Sequence, residues 1–279
     1  MTDLSPVPHV LRRGSGTPIL MIHGNGVDHR FLLPLDHIFE EGQWERIYID
    51  LPGFGETPAL PEPGGLPEFA AWLRAFARNE FRLDSDEPRP FAILANSLGG
   101  GLGRDLMAEF PGAVLGALLL APVVDPRPSH RDRPAFQIVE RDEEFTRTLD
   151  PEEAEDYFQM SVVQTPATWE RFRAAALPGI QAADHDAMHR LQHGYVLPDV
   201  PEDRGALPTT PVTILAGRQD QVVGFRDQFE LAQRYARGSY VMVDGAGHNV
   251  HLDQPGLVER VVDAWKDKLE AGTGEVPAR

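Results

Sequence analysis

Six short apolar runs punctuate the chain, bounded by glycine or proline: PILMIHG (18–24), RIYIDLPG (46–53), PFAILANS (90–97), VLGALLLAPV (114–123), PVTILAG (211–217) and SYVMVDGAG (239–247). They are nearly continuous rather than alternating in polarity. That is the pattern of strands covered on both faces in a parallel sheet. Between them, apolar residues recur at helical spacing: Phe69, Leu73, Phe76 and Ala77; Leu102, Leu106 and Phe110; Phe225, Phe229 and Ala232; Val258, Val261, Val262 and Trp265. Strand–helix alternation of this kind predicts an α/β fold with a doubly wound, mostly parallel sheet.

The rhythm breaks between Asp125 and Leu207. No convincing strand occurs there, and the apolar spacing predicts helices over roughly 134–147, 151–164, 166–176 and 183–194. The expected organisation is a core from residues 1–124, a helical cap over 125–207 and the rest of the core from 208–279. Such an insertion sits at the carboxyl edge of the sheet, where ligands bind in folds of this class. The tail AGTGEVPAR reads as disordered.

Composition narrows the chemistry. The 279 residues include no cysteine, which excludes disulfides, thiolate metal sites and a cysteine nucleophile. A formal net charge of −17 disfavours nucleic acid and anionic membranes and fits a soluble protein with a small-molecule partner. The N-terminus lacks a secretion signal and no apolar run is long enough to span a bilayer, so the expected location is the cytoplasm. Monomer and homodimer are equally compatible with the sequence.

The stretch FAILANSLGGGLGRDLM (91–107) runs from a buried-type strand into a glycine-rich helix with Ser97 at the junction. A serine on a tight strand-to-helix turn projects its hydroxyl above the sheet, and the turn leaves little space two residues to either side. Those positions hold Ala95 and Gly99; Gly100, Gly101 and Gly103 allow the helix to lie close to its neighbours. The plainer alternative is a serine that caps a helix.

A serine nucleophile needs a base and a carboxylate that orients the base, each on a loop after a strand. GRQDQVV places Asp220 after one strand and GAGHNVHLDQP places His248 after the next. Asp125 is a rival for the acid, Asp244 reads as a turn residue, and His251 reads as structural or solvated. Two N–H donors for an oxyanion would come from Leu98 and from Asn25 or Gly26 in HGNG. His23 reads as a strand-end hydrogen bonder. His185, His189 and His193, at helical spacing in the insertion, read as an exposed face rather than a zinc site. The run RDEEFTRTLDPEEAED reads as solvated, and Trp72, Trp169 and Phe172 as packing.

The ordered motifs MIHGNG, DLPGFGET, ANSLGG, GRQDQVV and GAGHNVHLDQP resemble those of the α/β-hydrolase family. The resemblance implies catalytic Ser97, His248 and Asp220, oxyanion N–H groups from Asn25 and Leu98, no cofactor or metal, and a helical lid between the family's sixth and seventh strands. The expected activity is that of a carboxylesterase-like serine hydrolase acting on a small ester, thioester, lactone or amide. The elbow NSLGG is similar to that of enzymes hydrolysing ring-cleavage products across a C–C bond, which makes that chemistry the alternative, beside a non-catalytic small-molecule receptor. Serine rather than aspartate at position 97 argues against haloalkane dehalogenase and epoxide hydrolase chemistry.

Overall fold

A computed structural model describes residues 4–273. Seven strands form one sheet in the order β1-β3-β2-β4-β5-β6-β7: β1 (Val10–Arg13), β2 (Thr17–Ile22), β3 (Trp44–Ile49), β4 (Phe91–Asn96), β5 (Val114–Leu120), β6 (Val212–Gly217) and β7 (Gly238–Val243). β1 pairs antiparallel with β3 and every other ladder is parallel. The apolar runs are the six parallel strands. β2, β4 and β5 lie in the middle, and Ile19–Ile22, Phe91–Ala95 and Ala117–Leu120 are fully buried. The sequence pattern does not announce β1. It is four residues long, half exposed and ends in two arginines, as befits a short charged edge.

Helices α1 (Leu66–Glu80), α2 (Ser97–Glu109), α3 (Pro166–Ala175), α4 (His185–His193), α5 (Arg226–Arg234) and α6 (Pro255–Thr273) complete the main framework. One hydrophobic cluster joins α1 and α2 to one face of the sheet, and a second joins α6 and the 3-10 stretch His29–Phe39 to the other. α6 takes in the first three residues of the tail expected to be disordered; the rest of that expectation lies outside the described residues. No helix among the described residues is long and apolar enough to cross a membrane.

The sequence between β5 and β6 is less helical than its spacing predicts. The structure has short helices at Glu143–Thr146 and Glu155–Met160 in place of the two long ones expected over 134–147 and 151–164. Glu140–Arg141 instead pairs in parallel with Val163–Gln164. That pairing needs extended backbone at Glu140–Arg141, within the first expected helix, and at Val163–Gln164, at the end of the second. Asp142 restarts a helix by accepting a hydrogen bond from the Phe145 N–H at 2.9 Å. The segment leaves the sheet after this chain's fifth strand and rejoins it at the sixth.

This segment is not packed as a separate body. Tyr157, Trp169 and Phe172 form an aromatic cluster that belongs to one core cluster of the sheet, and Ala183 and Leu191 belong to the other. Its returning end is pinned by charge. Glu202 receives the Arg104 guanidinium at 2.7 and 2.6 Å and the Tyr235 hydroxyl at 2.6 Å, all in the protein interior. Burial works against both charges, and their mutual attraction outweighs it, so Arg104 is raised and Glu202 lowered from their ordinary pKa values.

Candidate active site

The site grows from the junction of β4 and α2. Ser97 is the first residue of α2 and has φ +51°, a left-handed conformation that a residue with a Cβ adopts at a cost of about 1–3 kcal/mol. The close packing that holds it there is glycine-dependent. A Cβ on Gly99 would lie 2.4 Å from the carbonyl oxygens of both Ile22 and His23, and one on Gly100 would lie 2.7 Å from Pro122. At Gly101 the nearest atom would be 3.4 Å away, so that position does not demand glycine as the sequence pattern predicts. The backbone oxygen of Ser97 accepts the Val123 N–H at 3.0 Å, and the Asn96 side chain donates to the Leu120 carbonyl at 3.1 Å. The turn is thereby tied to the end of β5.

The loops after β6 and β7 bring two more side chains to this point. His248 Nε2 is 2.8 Å from Ser97 Oγ, and His248 Nδ1 is 2.9 Å from Asp220 Oδ2. Asp220 is fully buried, and its other oxygen accepts the N–H groups of Val222 and Val223 at 2.8 and 2.9 Å. With a carboxylate at Nδ1, the ring carries its proton there, and Nε2 is left to accept from the Ser97 hydroxyl. Three side chains that are 123 and 28 positions apart along the chain thus form one hydrogen-bonded line. Asp125, the rival acid, is elsewhere: it pairs with Arg127 at 2.9 Å and with His130 at 3.3 Å. Asp244 is exposed and accepts from Gln219.

The HGNG loop after β2 passes over the serine. A Cβ on Gly24 would meet the Asn96 side-chain oxygen at 2.5 Å and the Ser97 Cβ at 3.2 Å. Gly26 has φ +78°, and Asn25 sits on the exposed crest of this turn. Leu98, second residue of α2, contributes one of the N–H groups that a helix start leaves without an intrahelical partner. His23 anchors the loop. Its Nε2 accepts the Leu51 N–H at 2.9 Å and its Nδ1 donates to the Gly24 carbonyl at 2.7 Å. Burial lowers its pKa and keeps it neutral. His185, His189 and His193 lie exposed on α4, with the rings of the last two 4.2 Å apart.

Two buried groups beside His248 have no periodic signature in the sequence. Asp253 accepts the Gly247 N–H at 2.9 Å through one oxygen while the other has no partner, and burial pushes its carboxyl pKa up to about 7. His251 donates from Nε2 to the Phe31 carbonyl at 2.9 Å and lies edge-on to the Phe31 ring. Burial pushes its pKa down to about 4. The only forewarning of Asp253 is its place in HLDQP, just before the proline that opens α6.

A cavity of about 640 Å³ opens next to the start of α2, between Leu98, Val123 and Val124 of the core and Tyr195 and Leu197 of the segment that follows α4. It borders the residue after Ser97, while Ser97 and His248 are themselves buried beneath their surroundings.

A profile of the alpha/beta hydrolase family matches residues 19–261. The (E)-2-((N-methylformamido)methylene)succinate hydrolase of Acinetobacter baylyi is 23% identical over 261 residues, covering 92% of this chain and 93% of that protein. A pimeloyl-[acyl-carrier protein] methyl ester esterase of Shewanella sp. is 28% identical over 183 residues; the match takes in 65% of this chain and spans 59% of the esterase. Among solved structures, an alpha/beta superfamily hydrolase from Oenococcus oeni PSU-1 superposes with a TM-score of 0.85 at 26% identity, covering 94% of this chain and 96% of its own. By sequence profile and by fold, the chain belongs to the α/β hydrolase family.

Proposed function

We propose that the protein is a serine hydrolase that cleaves a small ester, thioester, lactone or amide through an acyl-enzyme on Ser97. The observation that carries this reading is the unbroken line from Ser97 Oγ to His248 Nε2 and from His248 Nδ1 to Asp220. His248 takes the hydroxyl proton as Oγ attacks the carbonyl carbon. Asp220 fixes the ring and offsets the imidazolium charge. The N–H groups of Leu98 and Asn25 receive the oxyanion. His248 then passes its proton to the leaving group, and a water molecule repeats the sequence to release the acid. The reaction calls on no cofactor.

In this reading, residues 125–207 act as a lid, and the cavity beside Leu98 accommodates the larger part of the substrate; its volume suits a small molecule. The relatives named above, an esterase and a hydrolase of a small dicarboxylate derivative, favour this class of substrate over the others a fold of this kind can host.

A fluorophosphonate probe tests the reading. Stoichiometric labelling of Ser97, lost in Ser97→Ala, is the expected result. A folded protein that resists the probe would leave a binding role. Turnover of p-nitrophenyl esters, but not of a ring-cleavage diketone, separates acyl transfer from C–C hydrolysis.

A further inference from the structure

Just past the end of β3, two imidazoles converge on one buried carboxylate. Asp50, at the end of β3, is fully buried. One of its oxygens is 2.8 Å from His29 Nδ1, and the other is 2.8 Å from His9 Nδ1. Among the described residues, the ion pairs of Asp50 are with these two histidines, not with lysine or arginine. We propose that His9, His29 and Asp50 form a binding site for a divalent transition-metal ion of the zinc class.

The donor set is right for that class. Two imidazole nitrogens and one carboxylate oxygen suit Zn²⁺. One ligand atom from each residue lies within 4.8 Å of the other two. In a tetrahedral zinc site neighbouring ligand atoms are about 3.3 Å apart, so ring rotation and a closure of about 1.5 Å or less suffice. A water molecule is available for the fourth position. His9 is partly exposed, which gives the ion a path in.

The backbone holds the three ligands ready. The His29 N–H donates to Asp50 Oδ1 at 2.9 Å, and the Asp50 N–H donates to the His9 carbonyl at 3.1 Å. The His9 N–H donates to the Thr57 hydroxyl at 2.8 Å, which in turn donates to the Asp50 carbonyl at 2.8 Å. Gly55, at φ +54°, completes the cradle; a Cβ there would meet the Asp50 carboxylate at 2.3 Å. An ion at this place joins the lead-in to β1, the start of the 3-10 stretch His29–Phe39 and the end of β3. It is a cross-link between segments rather than a participant in the chemistry at Ser97, and it does not depend on the hydrolase reading.

Chelator-treated protein titrated calorimetrically with ZnCl₂ alone tests the site. The expected result is one equivalent bound with micromolar or tighter affinity and a raised melting temperature. Each of His9→Gln and His29→Gln should weaken binding by about tenfold or more, while His189→Ala/His193→Ala leaves it unchanged. Failure of wild-type protein to bind zinc at micromolar concentration overturns the site. So does affinity that ignores His9 and His29, or that vanishes with the exposed pair on α4. If a variant does not fold, diethyl pyrocarbonate footprinting of the wild type decides. Zinc that shields His9 and His29 but not His189 and His193 supports the site, and the converse overturns it.

Discussion

Replacing Asp253 with asparagine should expose a balance of opposing proton linkages under the His248 loop. The carboxyl of Asp253 is 5% exposed, with one oxygen unpartnered, and its pKa in the folded protein is about 7. In the unfolded chain it is about 3.9. The folded state therefore holds more protons between these values, and stability falls as pH rises through them. Three units at about 1.4 kcal/mol each give a loss of about 4 kcal/mol between pH 4 and 7. His251 acts in the other direction. Its folded pKa of about 4 lies below an unfolded value of about 6.5, so the unfolded chain holds more protons and stability rises with pH over that interval, by about 3 kcal/mol. In the wild type the two slopes nearly cancel. Asparagine keeps an oxygen for the Gly247 N–H and removes the titration. The stability of Asp253→Asn minus that of wild type should thus grow by about 4 kcal/mol from pH 4 to pH 7 and then level off. Urea denaturation across that range, with equal m-values, measures it. A difference that does not change with pH would refute the placement of Asp253 as a buried, raised carboxyl.

Other expectations follow from the same contacts. Gly99→Ala should cost about 3 kcal/mol or more and abolish fluorophosphonate labelling, because its methyl meets two backbone oxygens at 2.4 Å; thermal denaturation and probe labelling report both effects. Glu202→Gln should destabilise by about 3–5 kcal/mol by leaving the Arg104 charge buried without its partner. Arg104→Met/Glu202→Leu should restore most of that loss in chemical denaturation. Asp220→Asn presents an N–H to His248 Nδ1 and so favours the wrong tautomer; hydrolysis of a reactive ester should fall by about 10⁴ in kcat while the melting temperature changes little.

The parts of this molecule legible in its sequence are those whose physics is local or periodic. Strands buried on both faces announce themselves as apolar runs, and the turn at Ser97 betrays itself through the small residues its sterics require. Asp220 and His248 are readable because each follows a strand at the same sheet edge, so the topology brings them together once the strand order is known. The insertion is readable as an interruption but not in detail: spacing predicts helices over 134–147 and 151–164, whereas the long-range pairing of Glu140–Arg141 with Val163–Gln164 decides the outcome. Pairs such as Arg104 with Glu202, 98 residues apart, leave no periodic trace at all. Nor do His9, His29 and Asp50, whose meeting depends on β1 joining the sheet edge.

These long-range contacts bear on the serine directly. Ser97 holds an unfavourable backbone angle that its own helix cannot enforce, since a helix start is free to fray. Here the enforcement comes from outside α2. β2 presses against Gly99, Pro122 presses against Gly100, and Val123 bonds to the Ser97 carbonyl. One turn further along, Arg104 donates to the Val123 and Val124 carbonyls as well as to Glu202. The same guanidinium therefore fixes the strand end that restrains Ser97 and the returning end of the insertion. Strain at Ser97 and attachment of the insertion share one buried anchor, so loosening Arg104 should disturb the geometry at Ser97.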